Sequence, residues 1–178
     1  MKPIFLIGYM GSGKTTLGKA LSNRLGIQFI DLDIYIEGRF MQTVRQLFIE
    51  RGEEGFRKIE RNMLHEIAEI DNVIIACGGG TPCYSDNMEY MNRKGQTIFL
   101  QTSLQRLYTR LARNREKRPL IMHLNDHELY EFIAQNITDR LPYYSKAQHI
   151  FCGEELEDRK QISKSVDKFI NTFLTNNP

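Results

Sequence analysis

Short runs of consecutive apolar residues alternate along this chain with longer stretches in which apolar residues recur every three or four positions. The first pattern marks strands buried on both faces, the second amphipathic helices. Ile4 to Ile7 is such a run, closed by Gly8, and predicts a first strand. Leu17, Ala20, Leu21 and Leu25 follow at helical spacing, with Gly26 where a C-terminal cap belongs. Gln28 to Leu32 reads as a second strand running into acidic residues, so that alternation would place Asp31 and Asp33 on one strand face. Thr43 and Gln46 have capping-box spacing and predict a short helix through Phe48. A longer helix then carries Phe56, Ile59, Met63, Leu64 and Ile67 on one face.

Val73 to Ala76 and Thr97 to Leu100 predict a third and a fourth strand, and His149 to Phe151 a weaker fifth. Ser103 opens a helix bearing Leu104, Leu107 and Leu111. Asn125 and Glu128 open another, bearing Leu129, Phe132, Ile133 and Ile137 and ending near Asp139. The last helix aligns Ile162, Val166, Phe169, Ile170 and Phe173, after which Thr175 to Pro178 are expected to fray. Alternating strands and helices imply an α/β fold with a parallel sheet covered on both faces. Ligands in such sheets bind beyond the carboxyl ends of the strands, so the residues just after each strand carry the information.

Composition narrows the class without changing it. The 178 residues form one domain, 1–178, and hydrophobic and charged fractions of 41% and 26% are those of a soluble globular protein. The net charge of +2 argues against nucleic acid as a partner, and no apolar run approaches the roughly 20 residues of a membrane span. The N-terminal apolar run is too short for a secretory signal, so a cytoplasmic monomer is expected. Cys77, Cys83 and Cys152 form no CxxC pair and are expected as buried or half-buried small apolar groups. His123 and His127 stand four apart without a third ligand at fixed spacing, which points to the surface rather than to a metal.

Gly8-Tyr-Met-Gly-Ser-Gly-Lys14-Thr15 matches GxxxxGK[ST] between the first strand and the first helix. Two glycines at about 7% each, a lysine and a Ser/Thr at fixed positions give a chance match on the order of 1% in a chain of this length. Small residues let the backbone wrap a phosphate with its N–H groups turned inward at a helix N-terminus. Gly11, Ser12, Gly13, Lys14, Thr15 and Thr16 would then cradle a nucleoside triphosphate, Lys14 on the β/γ-phosphates and Thr15 on Mg²⁺. The alternative is a glycine-rich turn with an exposed lysine.

Such loops also serve GTPases, motors and regulators, so the acceptor has to be sought elsewhere. Asp31 and Asp33 suggest one carboxylate toward the metal and one toward an acceptor hydroxyl; they could also simply open a helix. Arg57 and Glu60 share a helix face, either as an oriented guanidinium or as a solvated ion pair. Gly78, Gly79 and Gly80 suggest close backbone approach to a ligand, or a plain turn. The basic run from Arg106 through Arg110 to Arg118, leading to Pro119, is either solvated surface or a mobile lid that brings cations over the phosphates. Arg140, read as a helix-end residue, could be only a dipole partner.

Together these residues resemble the shikimate kinase family. The resemblance rests on GYMGSGKT, Asp31-Leu-Asp33, the run from Phe48 to Glu60 with its GEExFRxxE, the three glycines, Arg118-Pro-Leu and Arg140-Leu-Pro-Tyr-Tyr, over about residues 4 to 145. It implies phosphorylation of the 3-hydroxyl of shikimate by ATP with Mg²⁺, a step toward chorismate and the aromatic amino acids. It implies a three-layer P-loop NTPase fold with a five-stranded parallel sheet in the order 2-3-1-4-5, a substrate-binding subdomain near 33–62 and a lid near 110–125. By position, Asp33, Arg57, Arg140 and the glycines 78–80 would hold shikimate, and Asp33, Lys14 and Arg118 would be the catalytic groups. Asp31 would lie near the metal, reached through water, and Arg110 would stack on adenine. Thr81-Pro-Cys83 departs from the family pattern, and Gly153 to Asp158, where its adenine loop lies, carries no match. A gluconate or nucleotide kinase, or a silent nucleotide-binding regulator, are the competing readings.

Overall fold

In the computed structural model, which describes residues 1–118 and 120–175 (Lys117 by its backbone only), five parallel strands form one sheet. They are β1 (Ile4–Ile7), β2 (Gln28–Asp31), β3 (Val73–Ala76), β4 (Gln96–Gln101) and β5 (His149–Cys152), in the order β2-β3-β1-β4-β5. Among the described residues seven α-helices connect and cover them: α1 (Lys14–Leu25), α2 (Leu32–Phe40), α3 (Val44–Ile67), α4 (Asn87–Lys94), α5 (Leu104–Arg113), α6 (Asp126–Tyr144) and α7 (Arg159–Phe173).

The period-two alternation of β1 divides the core into two layers. Ile4 and Leu6 point into a cluster with Leu17 and Leu21 of α1 and Val166 and Phe169 of α7. Phe5 and Ile7 point the other way, toward Leu47, Phe56, Leu107 and Ile133 from the remaining helices. All four β1 residues are fully buried, each contributing about 1.5–3 kcal/mol of apolar burial. The loop after this best-anchored strand is therefore held from both sides. No helix among the described residues is long and apolar enough to cross a membrane.

Several expected boundaries move. β2 stops at Asp31, whose carboxylate caps a helix that the pattern did not predict, α2; Asp33 sits in its first turn. The two helices expected around Phe48 and Phe56 run together as α3, broken at Gly52, where φ of 65° and ψ of 178° leave the helical region. The Thr43 capping box is present, as is the one at Asn125. α6 does not end near Asp139 but continues through Arg140 and Pro142 to Tyr144. A proline this close to a helix end forgoes one hydrogen bond and no more of the ladder. α5 takes up the first positions of the expected lid, through Arg113, and Ile121 within that span is fully buried. Cys77 is buried and Cys83 half-buried, but Cys152, on edge strand β5, is exposed. His123 and His127 are exposed, and the described residues contain no cluster of three His, Cys, Asp or Glu fit for a metal. Pro119 and residues 176–178 of the expected fraying end lie outside the described residues.

Candidate active site

The loops after β1, β2 and β3 converge on one cleft of about 380 Å³. Its lining includes Gly11, Gly13, Lys14, Thr15 and Thr16 from the phosphate loop and α1, Asp31, Asp33, Gly78 and Gly79 from the ends of β2 and β3, and also Arg110 and Arg118. Gly13 caps α1 with φ of 99°, a left-handed conformation that side chains resist, and a Cβ there would run into Leu156. The turn aims the N-terminus of α1 into the cleft, a ready anion site. Ser12 is buried and takes part through the loop backbone, its N–H donating to the Tyr9 carbonyl.

Lys14 folds back over the loop, its Nζ donating to the carbonyls of Gly8 (2.8 Å) and Tyr9 (2.9 Å). Burial pulls its pKa down to about 8, with Asp33 opposing the shift. Thr15 Oγ1 donates to Asp31 Oδ2 at 2.8 Å. Asp33 is pushed up to about 6, first by burial and then by the neighbouring charges of Asp31 and Glu60, while Lys14 pulls it back. Asp31 and Asp33 thus meet through a strand-to-helix turn, not through strand alternation. Asp31 fills both roles that the sequence left open, helix cap and cleft carboxylate.

Arg57 and Glu60 do not form a solvated surface pair. Glu60 is 1% exposed, and its carboxylate takes Arg57 Nη1 at 2.8 Å on one oxygen and the Thr81 hydroxyl at 2.6 Å on the other. The guanidinium lies 3.8 Å over the Tyr84 ring, with Phe48 and Phe56 at 5.5 and 5.4 Å. Tyr84 donates its hydroxyl to Glu53, which also approaches Arg57 at 3.4 Å. Stacking on an aromatic ring while two guanidinium nitrogens donate to two different carboxylates suits arginine and would not serve lysine.

The three glycines give this cluster its room. A Cβ on Gly78 would lie 2.9 Å from Asp33 Oδ1, on Gly79 3.2 Å from Arg140 Nη1, and on Gly80 2.9 Å from Arg57 Nη2. Each glycine therefore makes way for a different charged side chain. Arg140, on α6, rests its guanidinium 5.4 Å over the Tyr9 ring. Positive groups on Arg57 and Arg140 thus flank the glycines, beside the Asp33 carboxylate.

Arg110 is held by Glu157 through Nε (2.6 Å), by the Gly11 carbonyl (3.1 Å) and by the Glu154 carbonyl (3.1 Å). It ties the phosphate loop to the segment after β5 and lines the cleft. Arg118 is half-buried, and loss of water lowers its pKa from the usual arginine value.

Sequence reasoning missed Glu53, Thr81, Tyr84 and Glu157. Thr81 and Tyr84 reach the site from the turn after β3 and Glu157 from the segment after β5, and no spacing ties these three to Arg57 or Arg110; Glu53, on α3, stands four residues before Arg57, a helical spacing that could have found it.

A family model described as shikimate kinase matches residues 10–172. The shikimate kinase of Phocaeicola vulgatus is 55% identical over 167 residues, covering 94% of this chain and 95% of that one. A crystal structure of shikimate kinase from Bacteroides thetaiotaomicron superposes with a TM-score of 0.93 at 54% identity, covering 96% and 97% of the two chains. Shikimate kinase from Acinetobacter baumannii in complex with shikimate superposes with a TM-score of 0.85 at 28% identity, covering 99% and 95%.

Proposed function

The chain belongs to the shikimate kinase family, and from that membership we propose that it transfers the γ-phosphoryl group of ATP to the 3-hydroxyl of shikimate, giving shikimate 3-phosphate on the route to chorismate. One observation carries the choice of acceptor: Arg57 and Arg140 flank the glycines 78–80 beside the Asp33 carboxylate. Two guanidinium groups suit one carboxylate, and an aspartate suits a vicinal diol, which together describe shikimate.

The division of labour follows from the cleft. Backbone N–H groups of Gly11 and of Gly13 to Thr16 take the phosphates, while that of Ser12 holds the loop's shape on the Tyr9 carbonyl, and Lys14 turns from the loop carbonyls to the β/γ-phosphates. Gly79 offers its backbone to shikimate. Asp33, ionised above about pH 6, accepts the hydrogen of the acceptor hydroxyl and aligns its oxygen. Phosphoryl transfer passes through a loose transition state, so alignment and charge supply most of the catalysis. Arg118 adds positive charge where the transferring phosphoryl spreads its own. Arg110, fixed on three acceptors, presents a flat face to adenine.

Magnesium fits the donor set. A threonine hydroxyl and the Asp31 carboxylate, 2.8 Å apart at the mouth of the phosphate loop, are the all-oxygen ligands such a cation takes, directly or through water. When bound it neutralises charge on the β- and γ-phosphates. On this reading the protein works as a monomer in the cytoplasm, with ATP and shikimate as its partners.

The test is ADP release by the purified protein with Mg-ATP and shikimate, gluconate, AMP or no acceptor. Release that depends on shikimate is the expected outcome. Release with another acceptor would refute the Arg57 and Arg140 assignment, and silence with all of them would leave a nucleotide-binding regulator.

A further inference from the structure

One buried side chain of the phosphate loop has no role above. Tyr9, the second residue of the phosphate loop, is 2% exposed, and its hydroxyl is buried without a hydrogen-bond partner. An unpartnered buried hydroxyl works against folding and calls for an explanation. The neighbouring Tyr144 shows the usual solution, donating to the Gly79 carbonyl at 2.6 Å. Tyr9 instead lies with its ring under the Arg140 guanidinium, 5.4 Å away, and within the fields of both Arg140 and Arg118. Arg118 lines the same cleft as Met10 and Gly11, the residues that follow Tyr9 in the loop. Burial pushes the Tyr9 pKa up to about 12 despite both cations, so the group stays a neutral hydroxyl with free lone pairs. A guanidinium has five donors to offer such an oxygen.

We propose that Tyr9 is a positioning residue coupling the two substrate sites. Its hydroxyl accepts a hydrogen bond from Arg118 when that arginine stands against the transferring phosphoryl group, and its ring seats Arg140 against the shikimate carboxylate. The proposal rests on the roles given above to Arg118 and Arg140.

Tyr9→Phe keeps the ring and removes only the hydroxyl. It is expected to lower kcat about tenfold, the size of one lost hydrogen bond to a charged group, with both KM values within about twofold of wild type. The melting temperature should stay level or rise, because the unpartnered hydroxyl is gone. A purely structural role would move stability and leave the kcat-to-KM split untouched. Tyr9→Leu, which removes the ring, should also raise the shikimate KM. Arg118→Met, which removes every donor at that position, measured alone and with Tyr9→Phe completes the cycle. Once Arg118 is replaced, losing the Tyr9 hydroxyl should cost less than about twofold.

Wild-type kcat in Tyr9→Phe would overturn the hydroxyl role, as would equal losses in both backgrounds. An unchanged shikimate KM in Tyr9→Leu would overturn the Arg140 half. Wild-type kcat in Arg118→Met would instead refute the assignment of Arg118, and the proposal would fall with it.

Discussion

Glu60→Gln makes a sharp test of the acceptor pocket, because it removes a charge and almost nothing else. The Glu60 carboxylate is buried between Arg57 Nη1 at 2.8 Å and the Thr81 hydroxyl at 2.6 Å. A glutamine amide keeps both contacts, its oxygen accepting from Arg57 and its nitrogen donating to the Thr81 oxygen, since a hydroxyl serves either way. The anion opposite a guanidinium of which only 15% of the side chain is exposed is lost. Removing one partner of a buried ion pair costs about 3–5 kcal/mol. Here the hydrogen bonds survive and Glu53 still approaches Arg57 at 3.4 Å, so about 2–3 kcal/mol is expected. At roughly 2–4 °C per kcal/mol for a chain of this size, the melting temperature should fall by about 4–12 °C. The same charge helps to hold Asp33 up near pH 6. Its removal favours the ionised aspartate, so the acid limb of kcat should move to lower pH while the protein becomes less stable. Calorimetry and kcat between pH 5 and 8 read the two effects separately. An unmoved melting temperature would refute the buried ion pair. An acid limb that stays or moves upward would refute the coupling of Glu60 to Asp33.

Asp33→Asn should lose most turnover yet keep its affinity for ATP, and near-normal turnover would reject its role. It should also melt higher than wild type at pH 8. The folded state holds the Asp33 proton to about pH 6, whereas the unfolded chain gives it up near pH 4; this group therefore makes wild-type stability fall as pH rises through that window. A lower melting temperature for the variant at pH 8 would contradict that account. Arg140→Ala should raise the shikimate KM at least tenfold with little change for ATP, and steady-state kinetics showing equal effects would undo the carboxylate assignment. Glu157→Gln should show the reverse bias, raising the ATP KM severalfold by loosening Arg110. An effect on the shikimate KM alone would contradict the nucleotide-end placement of Arg110.

The sheet and the phosphate loop were legible in the chain, because both are written in contiguous residues: apolar runs for β1, β3 and β4, and GxxxxGK[ST] at the end of β1. Capping boxes at Thr43 and Asn125 placed two helix starts for the same reason. What was not legible depends on burial from outside the local segment. Arg57 and Glu60 at spacing three read the same whether solvated or buried, and the loop after β3, bringing Thr81 and Tyr84 against them, decides the matter. α2 escaped because its apolar residues follow a strand without a break and its cap, Asp31, is itself the last strand residue. Arg140 looked like a helix end because proline usually stops a helix, but α6 runs through Pro142 to Tyr144 and closes with the Ser145 N–H on the Leu141 carbonyl.

The position of β1 in the sheet has a consequence for how the protein is made. Its two neighbours are β3 and β4, paired from Ile4 to Ile74 and from Ile4 to Gln96, so both of its edges are filled by strands translated later. β2, the next strand to be synthesised, pairs with β3 and cannot shield it. About 70 residues separate β1 from its first partner, which at roughly 5–20 residues per second leaves an all-apolar strand with open edges for several seconds on each nascent chain. Such a segment is a natural binding site for a chaperone during synthesis, and the phosphate loop that it anchors cannot take its final shape until β3 has been added.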